Sequence, residues 1–271
     1  MDLWPCSLSW QGGRGKNIIT YTELVFYHIR IHLSTKILKK IPRYAIINVA
    51  FSKGVKAMYI YIVRHGQSMG NLKGGFAGHT DYPLSDLGHK QARMTADFLK
   101  DEHIETVISS TLTRAKQTAE PIAADRGLEV IGCKEFMEMN FGDWEGKPLD
   151  EVEREYNGAV SQWKKEMYKT VCPNGESTVD CYNRAVNALK ETAAKYDGHD
   201  ICIVSHGAII KCLCCFLHGL PIEKLQDVIW ADNASVTKLE YKNGEFKIVY
   251  ECKSDHMGEY VTGVSKAMRE A

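Results

Sequence analysis

Long apolar runs are missing from this sequence, because Lys and Arg interrupt every stretch before it reaches the ~20 residues of a membrane span. No transmembrane helix is therefore expected. Internal repeats and low-complexity tracts are missing too, which argues against a solenoid or a linker array. The nine cysteines are odd in number and follow no regular framework. A secreted disulfide scaffold is not expected, and the thiols read as reduced in a cytoplasmic protein. Cys212, Cys214 and Cys215 lie in an apolar run where thiols act as small hydrophobes. On one helix these three point in different directions, so no zinc site is expected from them. Neither sign of charge prevails, with 34 Lys and Arg against 34 Asp and Glu, and neither nucleic acid nor a membrane is expected as a partner. What is present is ample core material, 44% of 271 residues being hydrophobic.

The neutral total conceals a split. Residues 1–57 carry nine Lys and Arg against two Asp and Glu, and the remaining 214 residues carry 25 against 32. The front segment has no sustained helical or strand period. Its apolar and basic residues are interleaved, unlike the separate basic and apolar regions of a signal peptide. We read residues 1–57 as an extension that is either disordered or the product of a mis-assigned start, with Met58 as the native first residue. A basic surface-binding arm, with Ile29 to Ile47 as its adhesive part, is the alternative. A purine-rich ribosome-binding stretch encoding Lys53-Gly54-Val55 would support the Met58 start, and peptides from residues 1–57 in the natural protein would refute it.

The run Tyr59-Ile60-Tyr61-Ile62-Val63 reads as a buried strand that delivers Arg64 and His65 at its carboxyl end. Ser85 caps a helix with a face of Leu87, Gln91, Met94 and Phe98, beside Ala92, Thr95 and Leu99. Thr106 to Ser109 reads as a strand, Thr113 to Arg126 as a helix closed by Gly127, and Leu128 to Ile131 as another strand. Residues 132–176, rich in Gly, Pro and charge, look like a cap-like insertion over a site, with helical pieces near 148–156 and 160–168. A helix follows over Ser177 to Tyr196 through Val179, Ala185, Val186 and Leu189, and then the strand Asp200 to Val204. Ala208 to Leu217 reads as a buried helix, and Asn243-Gly244 turns a final hairpin. The alternation predicts an α/β three-layer sandwich, a mostly parallel central sheet with helices on both faces. Two separate strands each end in a histidine, His65 and His206, on the side of such a sheet where sites lie.

Those strand ends sit in ordered motifs: Arg64-His65-Gly66-Gln67-Ser68-Met69-Gly70-Asn71, then Gly78 to Gly88, Ser109 to Ala119, Glu138-Met139-Asn140-Phe141-Gly142-Asp143-Trp144-Glu145-Gly146, and Val204-Ser205-His206-Gly207. Over residues 58–250 the chain resembles the histidine phosphatase (phosphoglycerate-mutase-like) family. The segment Glu138 to Gly146 followed by Pro173-Asn174-Gly175-Glu176-Ser177 is similar to its small bacterial branch of α-ribazole and broad-specificity phosphatases. The resemblance implies a phosphomonoester hydrolase that works on a small phosphorylated metabolite through a phosphohistidine at His65. A neutral imidazole with one nitrogen free is what that attack needs, and a backbone carbonyl is expected to hold the other nitrogen.

By the same resemblance, Arg64 and Arg114 clamp the phosphate with planar forks, His206 donates to one of its oxygens, and Glu138 is the proton donor. Asn71 is implied as a phosphate ligand, with Ser68 as a further candidate; the bland reading of both is loop capping. Gly207 admits close backbone approach at the positive end of the following helix. Phe136, Met137, Phe141 and Trp144 are expected to desolvate Glu138 in part and raise its pKa toward neutrality. Glu145 reads as structural, and His79, His89, His103, His199 and His218 as outside the mechanism. No cofactor and no metal are expected, since two arginines and two histidines supply the positive field. A phosphoglycerate mutase-type phosphoryl transfer is the rival, disfavoured by the short and acidic 138–177 stretch; a non-catalytic phospho-ligand binder is a third reading. The hairpin at 234–252 is either a covered edge or a pairing edge that would make a homodimer.

Overall fold

The computed structural model describes residues 57–263. The readings of residues 1–57 as disordered, mis-assigned or surface-binding fall almost wholly outside that range. Six strands form one sheet in the order β3-β2-β4-β1-β5-β6. They are β1 (Met58–Arg64), β2 (Thr106–Ser110), β3 (Val130–Cys133), β4 (Ile201–Ser205), β5 (Val236–Lys242) and β6 (Glu245–Lys253). β1, β2, β3 and β4 are mutually parallel, whereas β5 runs antiparallel to β1 and β6 antiparallel to β5. The sheet is the expected mostly parallel one. Asn243 and Gly244 both take positive φ, 54° and 85°, as a two-residue turn between β5 and β6 requires.

The layers follow from the two-residue period of the strands. Ile60, Ile62, Ile108, Ile201 and Ile203 point to one face, where α6 (Thr178–Lys195) and α7 (Gly207–Leu217) pack. Tyr61, Val63, Val107, Cys202 and Val204 point to the other, against α2 (Asp86–Phe98) and α3 (Thr113–Ala124). Both faces are covered, which is why β1 and β4 read as continuous apolar runs. Burying one such aliphatic side chain contributes ~1.5–3 kcal/mol. Helix α7 is buried from Gly207 through Cys215. Among the described residues no helix is long and apolar enough to cross a membrane.

The structure corrects three local expectations. The buried face of α2 is Gly88, Gln91, Ala92, Thr95 and Ala96, one step round from Leu87, Met94 and Phe98. Polar side chains fit there because they are bonded: Gln91 Nε2 donates to Tyr260 O at 2.7 Å and Thr95 Oγ1 to Ala234 O at 2.9 Å. β3 begins at Val130, not Leu128, because the Leu128 N–H closes α3 onto Ala123 O across Gly127 at φ 65°. Val179 on α6 is 41% exposed, and Cys181 takes the core position instead.

Residues 132–176 hold α4 (Leu149–Glu155), α5 (Ala159–Lys165) and short 3-10 turns at 134–136, 142–144 and 167–169. Their side chains Trp144, Val152, Trp163 and Met167 join the core on the α6 and α7 side of the sheet. One more short helix, α1 (Met69–Lys73), follows the β1 loop.

Candidate active site

Register alone brings the two histidines together. Arg64 of β1 is paired with Ser205 of parallel β4, so the next residues, His65 and His206, leave neighbouring strands at the same level. Their ring centroids are 5.1 Å apart. The His65 backbone stays in the sheet, its N–H donating to Ser205 O at 2.9 Å and its carbonyl accepting from Ala234 N–H at 3.2 Å. The loop then turns at Gly66 against the first turn of α2. A Cβ on Gly66 would lie 2.6 Å from Gly88 O, and one on Gly88 would lie 2.0 Å from Gln67 O. Both glycines are required by this close approach.

His65 is 3% exposed, and its Nδ1 lies 2.6 Å from Gly66 O. The N–H at Nδ1 donates to that carbonyl, which leaves Nε2 as the free lone pair. Burial first, then Arg114, then Arg64, hold its pKa well below the ordinary 6.5. The imidazole is neutral at physiological pH.

His206 is fully buried and its pKa is likewise held well below 6.5, by burial first and then by Arg114, His65 and Arg64. Its Nε2 lies 2.7 Å from Ser110 Oγ, and that oxygen already accepts the Leu112 N–H at 3.2 Å. In the tautomer in which the Ser110 hydroxyl donates to Nε2, Nδ1 carries the ring proton. His206 Nδ1 is buried with no hydrogen-bond partner. A donor left idle in the interior is costly unless a ligand accepts it.

Two arginines frame the same cavity, together with Ser68, Asn71, Glu138, Gly207 and His65. Arg64 donates from Nη1 to Ala231 O at 2.6 Å. Arg114, 1% exposed, donates to Gly78 O at 2.7 Å and Thr80 O at 3.1 Å. Burial lowers the Arg114 pKa, and the carboxylates of Glu138, Asp81 and Glu145 act against that. Two of its five N–H groups are thus used for aiming, and the rest remain for a ligand.

Asn71 and Ser68 form a capping box on α1, so the loop-capping reading of both holds as geometry. Asn71 Oδ1 accepts from Ser68 N–H at 2.9 Å and from Asn233 Nδ2 at 3.3 Å. With the oxygen engaged, the Asn71 NH₂ is the group left over. Glu138 is half-buried; its two carboxylate oxygens accept the Ala208 N–H at 3.2 and 3.3 Å, at the N-terminus of α7. A Cβ on Gly207 would sit 3.5 Å from Arg64 Nε and 3.6 Å from the Trp230 ring, filling the space between them.

Several contributors escaped sequence reasoning. Ser110, Asn233 and Arg184 carry no individual motif signal strong enough to single them out. Arg184 pairs with Glu176 at 2.7 Å and donates to Met137 O at 2.9 Å and Glu138 O at 3.3 Å, so it fixes the Glu138 backbone. His79, set aside as a loop residue, is half-buried with Nε2 2.9 Å from Glu138 O. Glu145 accepts from His79 N–H, Phe141 N–H and both the N–H and hydroxyl of Thr80, which is the structural role read from its turn. It fixes the 78–80 carbonyls that aim Arg114.

Four aromatic rings complete the lining of the cavity. Phe76, Phe141, Trp163 and Trp230 line it. Trp163 meets Phe76 edge-on at 5.5 Å, Phe141 edge-on at 5.2 Å and Trp230 at 6.4 Å. Among the described residues, Arg64 and Arg114 are the lysine or arginine side chains that line the cavity.

Comparison with known proteins identifies the family. Residues 60–252 match the histidine phosphatase superfamily (branch 1). Phosphoserine phosphatase 1 of Hydrogenobacter thermophilus is 32% identical over 212 residues, covering 77% of this chain and 99% of that protein. A probable phosphoglycerate mutase GpmB of Yersinia pestis is 31% identical over 189 residues, 68% of this chain and 86% of that one. The crystal structure of the α-ribazole phosphatase from Shigella flexneri superposes with a TM-score of 0.66 at 27% identity, covering 72% of this chain and 96% of that one.

Proposed function

This chain belongs to the histidine phosphatase superfamily (branch 1) and is a phosphomonoester hydrolase, and from that premise we propose that His65 Nε2 is the nucleophile that takes the phosphoryl group. The observation that carries the reading is the Nδ1–H bond of a buried, neutral His65 to Gly66 O. Attack forms the N–P bond as the P–O bond to the leaving group breaks. Arg64, Arg114, the Asn71 NH₂ and His206 Nδ1–H face the charge that spreads over the phosphoryl oxygens, with Ser68 and Gly207 shaping the loop and helix end beside them. Glu138 gives its proton to the leaving alkoxide and then takes one from the water that cleaves the phosphohistidine.

The leaving group we propose is uncharged and carries an apolar or ring surface. A second phosphate or a carboxylate on the substrate would face Glu138 and the aromatic wall with no further lining cation among the described residues. That same shortage weighs against the mutase reading, despite the similarity to a probable mutase. A reduced, cytoplasmic setting suits the eight free thiols of the described residues. The substrate is the partner proposed, without nucleic acid or membrane; a homodimer through the open edge of β6 is the assembly to test by solution mass.

The test supplies p-nitrophenyl phosphate, phosphoserine and 3-phosphoglycerate, the last with and without a bisphosphoglycerate primer. Phosphate release, fastest from the aryl ester, is expected; isomerisation without release overturns the hydrolase in favour of the mutase, and turnover of none favours a binder. Glu138→Gln is expected to slow alkyl esters far more than p-nitrophenyl phosphate, whose leaving group needs no proton. Equal slowing of both removes Glu138 as the acid.

A further inference from the structure

The end of α7 remote from Gly207 carries a second cluster. Strand side chains alternate between faces, but β6 is bulged: Lys253 pairs with Val236 and Tyr250 with Lys238, so Glu251 and Cys252 both stand opposite the single Thr237. Tyr250 and Lys253 reach Phe98 on the α2 face, at 6.4 Å between rings and 5.7 Å from Nζ to ring. Glu251 and Cys252 are both turned to the α7 face, and Cys252 takes φ 46° in doing so. There they meet Cys214 and His218, which are four residues apart and so share one side of the helix end.

Cys214 Sγ, Cys252 Sγ and a Glu251 carboxylate oxygen all lie within 4.8 Å of one another. His218 Nε2 is 2.9 Å from Glu251 Oε2. The other carboxylate oxygen, Glu251 Oε1, is buried with no hydrogen-bond partner. A carboxylate oxygen in that position is costly unless a positive group meets it.

We propose that Cys214, Cys252 and Glu251 hold a Zn²⁺ ion that ties the end of α7 to the bulged edge strand, apart from the phosphate cavity, with a water in the fourth position and His218 orienting the Glu251 carboxylate. Two thiolates beside one carboxylate are a donor set that favours zinc over magnesium or calcium. Binding forms two Zn–S bonds and one Zn–O bond to the protein and one Zn–O bond to water, and both thiol protons leave to solvent; nothing is oxidised. The Thr237 hydroxyl, 3.8 Å from Cys252 Sγ, supports the sulfur from behind. The His218 side chain is 43% exposed, which gives the ion a path from solvent. The helix cysteines alone do not converge, as their spacing implies: Cys215 Sγ turns to Leu220 O at 3.6 Å. It is the bulge on β6 that supplies the missing ligands.

Titration of the full chain with Co²⁺ tests the site. One equivalent is expected to give a near-ultraviolet thiolate-to-cobalt band that one equivalent of Zn²⁺ abolishes. Cys214→Ser and Cys252→Ser are each expected to lose the band, Glu251→Gln to weaken it, and Cys181→Ser, a buried thiol elsewhere, to keep it. Wild-type turnover of p-nitrophenyl phosphate by every variant shows that each is folded. Absence of the band in the wild type, its persistence in Cys252→Ser, or an intact mass showing a Cys214–Cys252 disulfide in freshly purified protein overturns the proposal.

Discussion

The two sides of the cavity are built on different physics. On the polar side, Arg64, His65, Arg114 and His206 come from β1, α3 and the end of β4, and each is aimed by a named bond to Ala231 O, Gly66 O, Gly78 O or Ser110 Oγ. On the aromatic side, Phe76, Phe141, Trp163 and Trp230 come from loops and from the 132–176 segment, and are held mainly by ring contacts at 4.6 to 6.4 Å. Directional bonds to backbone fix positions to a fraction of an ångström, as transition-state stabilisation requires. Ring packing instead tolerates changes of shape at modest cost. The difference teaches where variation is cheap, and the function proposed above assigns the chemistry to the rigid side and the choice of leaving group to the other.

The largest effect belongs to the rigid side and should not depend on the substrate. His65→Ala is expected to lower kcat/KM by at least about 10⁴-fold for aryl and alkyl phosphates alike. A loss confined to one substrate, measured by phosphate release, would break the division between the two sides.

Next is Arg114, the largest charge acting on His65 after burial. Arg114→Gln is expected to cost about 10²- to 10³-fold in kcat/KM and to move the acid limb of its pH profile upward. The sign follows from linkage. The folded chain resists protonation at His65, so activity persists as pH falls through 6.5 and is lost only at the lowered pKa. The stability tied to this group is fully present above 6.5 and falls away over the same window. Arg114→Lys restores the charge but not the fork, so the limb should return while most of the rate does not. A limb that stays put in Arg114→Gln would remove the electrostatic coupling.

A smaller effect is expected at Ser110. Ser110→Ala removes the bond that places the proton on His206 Nδ1, and one such buried bond is worth ~1–1.5 kcal/mol, or about tenfold in kcat/KM. The expected loss is in kcat, equal for all leaving groups. A change in KM for aryl esters alone would assign Ser110 to the other side of the cavity.

The rigid side was largely legible in the sequence because its groups stand at strand ends and helix starts. Strand 59–63 followed by Arg64-His65-Gly66 and strand 200–204 followed by Ser205-His206-Gly207 give the two histidines, and parallel pairing makes them neighbours. What reads poorly is whatever depends on contacts between distant segments. Ser110 is anonymous until β2 and β4 are side by side, and the one-step rotation of α2 follows from Gly88 meeting Gln67, a contact that no helical period encodes. The bulge that turns Glu251 and Cys252 to one face is hidden in the same way, since a strand pattern assumes alternation.

The aromatic side is where the smallest effect and the finest test lie. Trp230 is half-buried beside Gly207, and Lys211 lies behind it with Nζ 4.9 Å from the ring centre. Lys211 Nζ also donates to Val228 O, and to Gln226 O at 3.4 Å, so it fixes the loop that carries the indole. Burial lowers the Lys211 pKa to about 8. Above that pH the ammonium loses its proton and the cation–π attraction, worth ~0.5–2 kcal/mol, is lost with it. KM for aryl phosphates is therefore expected to rise a few-fold, within the range that energy sets, as pH passes through about 8, with no matching change for small alkyl esters. Lys211→Met should show the raised KM at every pH and a flat profile across this window. Trp230→Ala should raise aryl KM likewise and leave the maximal rate on small esters intact. If kcat falls on both substrate classes in Trp230→Ala, the indole helps to aim Arg64, and the boundary between the rigid and the packed side has to be redrawn to include it.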